Sequence, residues 1–427
     1  MQVGHEASVF GSQVRSIIRL SGIWLKSAIL YWESPTWSSA LALLVYMLFA
    51  LGQGDVWHVS RYPFYNYLAD AFLHGQLALR LIPPDTHDLS LFNGHLYLYW
   101  GPLPAIVLMP LVALFGVQVS DIIPTLVIAA LNVMLVACVL RQACRRRVID
   151  LSAVQRGLLV LFFALGTVHL TLAPYGRVWF TGQLVGFLCV AMAYLAALTL
   201  RGTAAFAATG CGIAAALLAR NHLVFAGLWP GCYLLSEQGF AKPARLAGRV
   251  LAGMVPVLVA VAALGLYNRL RFGSIFDAGL AYHQMAEIFV QDYRRYGAFN
   301  LHYVPTNLFY QYVAYPFPFR PTSPFGGSLF LLSPPFFGAL WAIRIGRPRW
   351  SVWALVATIL LVAAPILLLM GTGWVQFGPR YTLDFTLPLL LLTALGISRW
   401  PNRLVAVLTA IAIVQYVIGT IYLGRFM

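Results

Sequence analysis

The sequence predicts an all-α integral membrane protein with about eleven transmembrane helices, within a range of about 10 to 13. Hydrophobic residues make up 60% of the chain and charged residues only 10%, whereas an ordinary soluble domain has about 25% charged residues. Apolar runs long enough to cross a bilayer recur along the whole chain. Short basic clusters separate many of these runs, as the positive-inside rule expects.

The predicted spans form a single polytopic membrane domain that covers residues 1–427. They lie at 36–52, 121–140, 157–173, 184–200, 203–219, 222–236, 248–267, 326–343, 351–370, 383–397 and 403–423. The net charge of +15 does not indicate nucleic-acid binding, because most basic residues lie in short connections next to apolar segments, on the cytoplasmic side. We therefore expect no nucleic-acid partner.

The connections between spans differ in length on the two sides of the membrane. Two long outer loops are predicted, at 53–120 and 268–325, and the first contains short juxtamembrane helices. The apolar segment 102–117 is expected to lie in the outer interface, because a crossing there would carry the arginine cluster 145–147 to the outside. A twelfth crossing is the alternative.

Asp55 is the first candidate for chemistry, since it lies a few residues beyond the end of the first predicted span. A carboxylate at that height is fixed relative to the bilayer and accessible from water, as a general base must be. The alternative is a solvated loop carboxylate or a cap for the helix that follows. Asp70 lies on a short amphipathic helix that ends at Gly75. It is a possible second carboxylate of the site, or part of the polar face of that helix.

The stretch 87–102 is rich in aromatic rings and hydrogen-bonding groups. Asp88 is a further possible second carboxylate, and His95 is a candidate contact for a donor phosphate. Tyr97, Tyr99 and Trp100 are candidates to bind a sugar or lipid, because aromatic rings stack on the apolar face of a pyranose. The alternative is an aromatic belt at the membrane interface, which tyrosine and tryptophan also favour.

Several arginines fall on the outer side, where the positive-inside rule does not explain them. Arg220 and Arg380 lie directly beside apolar spans, and a charge at that boundary indicates function. A guanidinium binds phosphate through two parallel hydrogen bonds, so both are candidate ligands for an anionic lipid phosphate. The alternative is ion pairing with outer acidic residues, of which Asp384 is one. The outer arginines are Arg177, Arg220, Arg269, Arg271, Arg294, Arg295, Arg320 and Arg380.

The order of these features resembles the start of the GT-C glycosyltransferases, such as the protein O-mannosyltransferases and the lipid A aminoarabinose transferases. An acidic residue follows the first span, and a short helix and a proline-rich turn lead into an interfacial helix. The stretches 266–274 (LYNRLRFGS) and 373–384 (GWVQFGPRYTLD) are similar to bacterial membrane glycosyltransferases. The resemblance covers most of the chain.

This resemblance implies roles for individual residues. Asp55 matches the catalytic base, the stretch 87–104 matches the loop that touches the donor phosphate, and Arg380 falls where an outer arginine meets the lipid phosphate. Two positions depart from the family pattern. Asp55 is followed by Val56 instead of a second acidic residue, and the proline-rich turn reads Trp100-Gly101-Pro102 without the lysine that several relatives carry.

The predicted function is transfer of a sugar from a polyprenyl-phosphate donor to a glycan, lipid or protein hydroxyl. The reaction is expected to invert the anomeric carbon, on the outer face of a bacterial cytoplasmic membrane, where nucleotide sugars do not occur. No cofactor or metal is indicated, although Asp55 with Asp70 or Asp88 could hold a divalent ion. A transporter or lipid flippase for a glycolipid or anionic substrate is the alternative, and a glycan polymerase or ligase of another fold is a third.

Overall fold

The computed structural model describes residues 27–54, 56–238, 242–373 and 375–426. Asp55, a residue of the predicted site, lies outside these ranges. Helices dominate the described residues: α1 Pro35–Gln53, α2 Phe64–Leu73, α3 Leu103–Phe115, α4 Ile122–Arg145, α5 Ala153–Leu165, α6 Val168–Leu172, α7 Val178–Thr199, α8 Gly202–Ala219, α9 Leu228–Ser236, α10 Pro243–Phe272, α11 Glu287–Tyr296, α12 Val304–Leu308, α13 Leu329–Leu332, α14 Phe337–Ile345, α15 Arg349–Leu368, α16 Leu383–Ile397 and α17 Asn402–Leu423.

Within the described ranges, nine helical segments are long and apolar enough to cross a membrane: α1, α4, α5 with α6, α7, α8, α10, α15, α16 and α17. Each coincides with a predicted span. The other two predicted spans, 222–236 and 326–343, are built from shorter pieces. A 3₁₀ helix at Asn221–Gly227 precedes α9, and a 3₁₀ turn at Pro334–Phe336 separates α13 from α14. The predicted fold class, an all-α polytopic membrane protein, is confirmed.

The helices approach one another closely where glycines face each other. A side chain at Gly210 of α8 would collide with the backbone of Gly253 on α10, and one at Gly396 of α16 would collide with Gly338 on α14. Membrane helices associate largely through such close packing, because lipid supplies no hydrophobic force between them. Large buried rings fill the centre, among them Phe162, Phe163, Phe187, Tyr194 and Trp229.

The first long loop folds into a compact layer at one end of the bundle. α2 packs against α3, which has 13 residues and is therefore about 20 Å long, too short for the roughly 30 Å hydrocarbon core. Between them lies a β-hairpin that the sequence analysis does not predict. Its strands, β1 Ser90–Phe92 and β2 His95–Tyr97, are antiparallel with Leu91 opposite Leu96. Asn93 and Gly94 form the turn with φ of 49° and 78°, as expected for an Asn-Gly hairpin.

Candidate active site

A cavity of about 490 Å³ lies where both long loops meet the ends of the helices predicted to face outward. One wall is polar and carries four arginines, Arg61, Arg177, Arg220 and Arg380. The other wall is apolar and is formed mainly by Phe289, Phe299, Pro365, Ile366, Leu369 and Met370. Asp88 is the one carboxylate among the described residues that line the cavity. The lining is therefore strongly cationic on one side and hydrophobic on the other.

Arg380 begins the 3₁₀ turn that leads into α16, and glutamines hold its backbone on both sides. The backbone N–H of Arg380 donates to Gln376 Oε1 at 3.1 Å, and Gln183 Nε2 donates to the Arg380 carbonyl at 3.1 Å. Gly373 lies so close that a β-carbon there would come within 2.8 Å of Arg380 Nε. The position of this arginine is therefore fixed before any ligand binds.

The guanidinium of Arg380 is buried, and no acidic side chain within the described ranges pairs with it. It lies 4.8 Å from the ring centre of Tyr381 and 5.7 Å from that of Phe180, and its Nη2 donates to the Tyr381 hydroxyl at 3.3 Å. The residue is 8% exposed, and its Nε has no hydrogen-bond acceptor among the described residues. A buried charge in this state is costly unless an anion joins it.

Arg220 faces the same cavity but has a carboxylate partner. Its Nη2 lies 3.0 Å from Asp384 Oδ2, and His222 Nε2 lies 2.9 Å from the same oxygen. The Asp384 side chain is 1% exposed, so this is a buried cluster. Ion pairing with Asp384, the alternative considered for the outer arginines, therefore applies to Arg220 and not to Arg380.

Asp88 is held from several directions at the edge of the cavity. Trp179 Nε1 donates to its Oδ2 at 2.8 Å, and His283 Nε2 lies 2.7 Å from its Oδ1. The backbone of this residue is also paired with the second long loop: the Asp88 N–H donates to the Gln284 carbonyl at 3.0 Å. These contacts join the first long loop to the second. Asp88 has a φ of 65°, a left-handed conformation that aspartate tolerates better than most residues.

Aromatic rings line the cavity around Asp88. Tyr99 stacks on Trp100 with 4.1 Å between ring centres and lies 4.9 Å from the His283 ring. Trp179 contacts Tyr62 at 4.9 Å. Burial raises the pKa of Tyr99 well above its usual value, and the Asp88 charge raises it further. Tyr99 is therefore a neutral hydrogen-bonding group on a flat aromatic wall.

Three of the sequence-predicted residues do not line the cavity. Asp70, on α2, forms a two-point ion pair with Arg80, at 3.0 Å from both Nε and Nη2. His95 is exposed on β2. Tyr97 packs on Phe272, with 5.2 Å between ring centres. The structure therefore brings Asp88, Tyr99, Trp100, Arg220 and Arg380 together and leaves these three apart.

The chain on either side of position 55 lies beside the cavity. Gln53 packs against Gly424, two residues from the cavity-lining Phe426. Ser120 Oγ donates to the Val56 carbonyl at 2.6 Å. Ser60, next to the lining residues Arg61 and Tyr62, donates to Asp121 from its backbone N–H at 2.8 Å and from its hydroxyl at 2.7 Å.

Sequence reasoning did not single out some lining residues. Trp179 and Phe180 lie at the start of α7, and His283 lies in the second long loop. Trp179 and Phe180 could have been found from their position next to Arg177, one of the predicted outer arginines. His283 is an isolated histidine without a motif. Among the described residues, no group of three or more His, Cys, Asp or Glu side chains is placed to hold a metal ion.

The chain is thus a polytopic membrane protein with a cationic, amphiphilic cavity between its two long loops. No family model and no curated protein matches its sequence. The solved structures that are similar include ArnT from Cupriavidus metallidurans bound to undecaprenyl phosphate, at 14% identity, and the same protein in the apo state, at 15%. For both the TM-score is 0.49, over 85% of this chain and 60% of that chain.

Proposed function

We propose that the protein is a glycosyltransferase that moves a sugar from a polyprenyl-phosphate donor to an acceptor hydroxyl on the extracytoplasmic face. The observation that carries the proposal is the buried Arg380 guanidinium, which faces the cavity and has no carboxylate partner among the described residues. An anionic ligand removes the cost of burying this charge. A phosphate fits best, because the planar guanidinium donates two parallel hydrogen bonds to it.

The two unlike walls of the cavity support an amphiphilic donor. Arg61 and Arg177 line the same cavity as Arg380, while Ile366 and Leu369 belong to the hydrophobic wall. A volume of about 490 Å³ is in the range of small-molecule sites. It accommodates a sugar phosphate and the start of a lipid chain, and the remaining chain would run along the hydrophobic wall into the bilayer. The sequence contains no glycine-rich nucleotide-phosphate loop.

Asp55 is the general base in this proposal. Its carboxylate takes the proton of the acceptor hydroxyl while the hydroxyl oxygen attacks the anomeric carbon. The bond between that carbon and the phosphate oxygen breaks, and its electron pair stays on the phosphate, where Arg380 stabilises the charge. Attack opposite to the leaving phosphate inverts the anomeric carbon. Because phosphate leaves without protonation, no second acid is required.

The contacts of the other candidate carboxylates support the choice of Asp55 as the base. Both oxygens of Asp88 contact Trp179 or His283, and Asp70 is paired with Arg80 away from the cavity. The chain segments that flank position 55 pack beside the cavity. Tyr99 and Trp100 would stack on the sugar ring, with Asp88 oriented to accept a hydrogen bond from one of its hydroxyls.

The test is release of polyprenyl phosphate from sugar-loaded carriers by the purified full chain. Undecaprenyl-phosphate donors bearing a pentose, an aminopentose or a hexose are incubated with protein and an envelope extract, and freed undecaprenyl phosphate is measured. We expect release with one donor, and a loss of about 10²- to 10⁴-fold in Asp55→Asn, as is typical when a general base is removed. Binding of undecaprenyl phosphate is expected to stay unchanged in this variant.

The matched control is Asp292→Asn in the second long loop, since Asp292 is exposed on α11 and does not line the cavity. Wild-type turnover in Asp55→Asn would remove that residue from catalysis. Absence of release from every donor, together with movement of labelled lipid across proteoliposomes that contain the protein, would contradict the transferase and favour the flippase.

A further inference from the structure

A second cavity, of about 510 Å³, lies between α4 and α7 at the other end of the bundle. We call it the cytoplasmic cleft, because the basic residues at its rim belong to the connections predicted to be cytoplasmic. α4 contributes a stripe at helical spacing, and α7 contributes a parallel stripe on the opposite side. The lining residues of these two stripes are Cys138, Arg141, Gln142 and Arg145, and Met192, Leu195, Ala196, Thr199 and Leu200.

The charge of the cleft is positive at its rim and zero at its deep end. Arg145 is exposed and forms no ion pair with any described residue. Arg141 lies 3.4 Å from Glu33, which is closer to Arg156, at 3.0 Å. No acidic side chain is among the lining residues described. The rim therefore carries cationic charge that the protein does not fully neutralise.

The depth of the cleft matches the boundary between lipid headgroups and acyl chains. Cys138 and Arg145 are seven residues apart on one helix, which is about 10 Å along the axis. Met192 and Leu200 bound a similar length of α7 and its end. The polar zone on each side of a bilayer is about 5–8 Å thick. A lipid phosphate at the level of the arginines therefore directs its acyl chain onto Met192 and Leu195.

We propose that the cytoplasmic cleft binds one anionic glycerophospholipid of the inner leaflet, with the headgroup phosphate between Arg141 and Arg145. Arginine suits a phosphate because it donates two parallel hydrogen bonds. The chain's own residues 1–26 are a poor occupant, since they carry Arg15, Arg19 and Lys26 against a single acidic residue. This lipid site is separate from the outer cavity, and its occupancy does not depend on the transfer reaction.

The experiment is native mass spectrometry of the purified full chain, titrated with phosphatidylglycerol or with phosphatidylcholine of the same acyl chains. We expect one phosphatidylglycerol to be retained preferentially. The double variant Arg141→Gln/Arg145→Gln should weaken that binding about 25-fold, from about fivefold for each arginine near an anionic lipid surface. The matched control is Arg344→Gln/Arg347→Gln, which removes the same charge from exposed positions outside the cleft.

A second variant tests the cleft without changing its charge. Met192 is 43% exposed, so Met192→Trp fills the apolar end without disturbing the core, and it should also displace the retained lipid. Equal loss of binding in the control pair would indicate diffuse surface attraction and overturn the proposal. Equal retention of phosphatidylcholine, or unchanged binding in both cleft variants, would overturn it as well.

Discussion

Replacing Arg380 by lysine tests the proposed phosphate site most directly. Lysine keeps the positive charge but replaces the planar guanidinium with a single ammonium group. The backbone contacts of this position, to Gln376 and Gln183, do not involve the side chain and should persist. The substitution therefore changes the geometry of the cation while leaving the turn into α16 in place.

The expected effect is loss of one charge-assisted hydrogen bond to the ligand phosphate. Such a bond contributes about 1.5–3 kcal/mol, which corresponds to an increase in Kd of roughly 10- to 150-fold. Stability without ligand should change little, because the one hydrogen bond that the Arg380 side chain makes to the described part of the chain is to the Tyr381 hydroxyl, at 3.3 Å. A variant that loses affinity but keeps its Tm would therefore indicate a ligand-binding role.

The assay is titration of the purified protein with undecaprenyl phosphate in detergent micelles, with thermophoresis as the readout. Arg320→Lys is the control, because Arg320 is an exposed arginine of the second long loop that does not line the cavity. A Kd within twofold of wild type for Arg380→Lys would refute the reasoning. A large fall in Tm with unchanged affinity would instead assign Arg380 a structural role.

Three further predictions concern the surroundings of the site and the topology. Asp384→Asn should lower the stability of the protein by at most about 3–5 kcal/mol, since it leaves Arg220, whose side chain is 12% exposed, beside a neutral amide; thermal unfolding measures this. Burial raises the pKa of Asp121 to about 6, so the folded protein favours the protonated carboxyl. The stability that this protonation contributes is present below pH 4 and is lost as the pH rises through 6. Asp121→Asn should therefore flatten the dependence of Tm on pH over that interval. In a cysteine-free background, Arg145→Cys should resist labelling from outside intact cells, and ready labelling there would mean that α3 crosses the membrane.

Apolar length predicted the helical framework well, because bilayer thickness directly sets the length of a spanning run. The interruptions within spans were harder to predict. Pro334 and Pro335 break the segment 326–343 into α13 and α14, since proline lacks the N–H that continues a helix. The Asn93-Gly94 pair was an available hairpin signal within a stretch interpreted only for its aromatic content. Tyr97 is the last residue of β2 and packs on Phe272. Tyr99 lies two residues beyond the strand and lines the cavity.

Residue type and predicted side of the membrane singled out Arg220, Arg380 and Tyr99, which line the cavity, but not the partners of these residues. Arg220 and Asp384 are 164 positions apart in the chain, and neither belongs to a motif that fixes the pairing. Asp88 and His283 come from different long loops and meet only when the backbones at 88–90 and 283–284 pair. Such contacts depend on how the loops close over the bundle, which the periodicity of the helices does not determine.

The contrast between Arg220 and Arg380 explains how one cavity can be both stable and ready for an anion. Asp384 neutralises Arg220 and is itself held by His222, so the charge of Arg220 costs little in the unliganded protein. Arg380 is fixed through its backbone and through aromatic rings, which hold a cation without cancelling its charge. The cost of burying that charge is therefore present before binding and is removed when a phosphate arrives. A carboxylate beside Arg380, like the one beside Arg220, would stabilise the protein without ligand and would weaken the attraction of Arg380 for the phosphate.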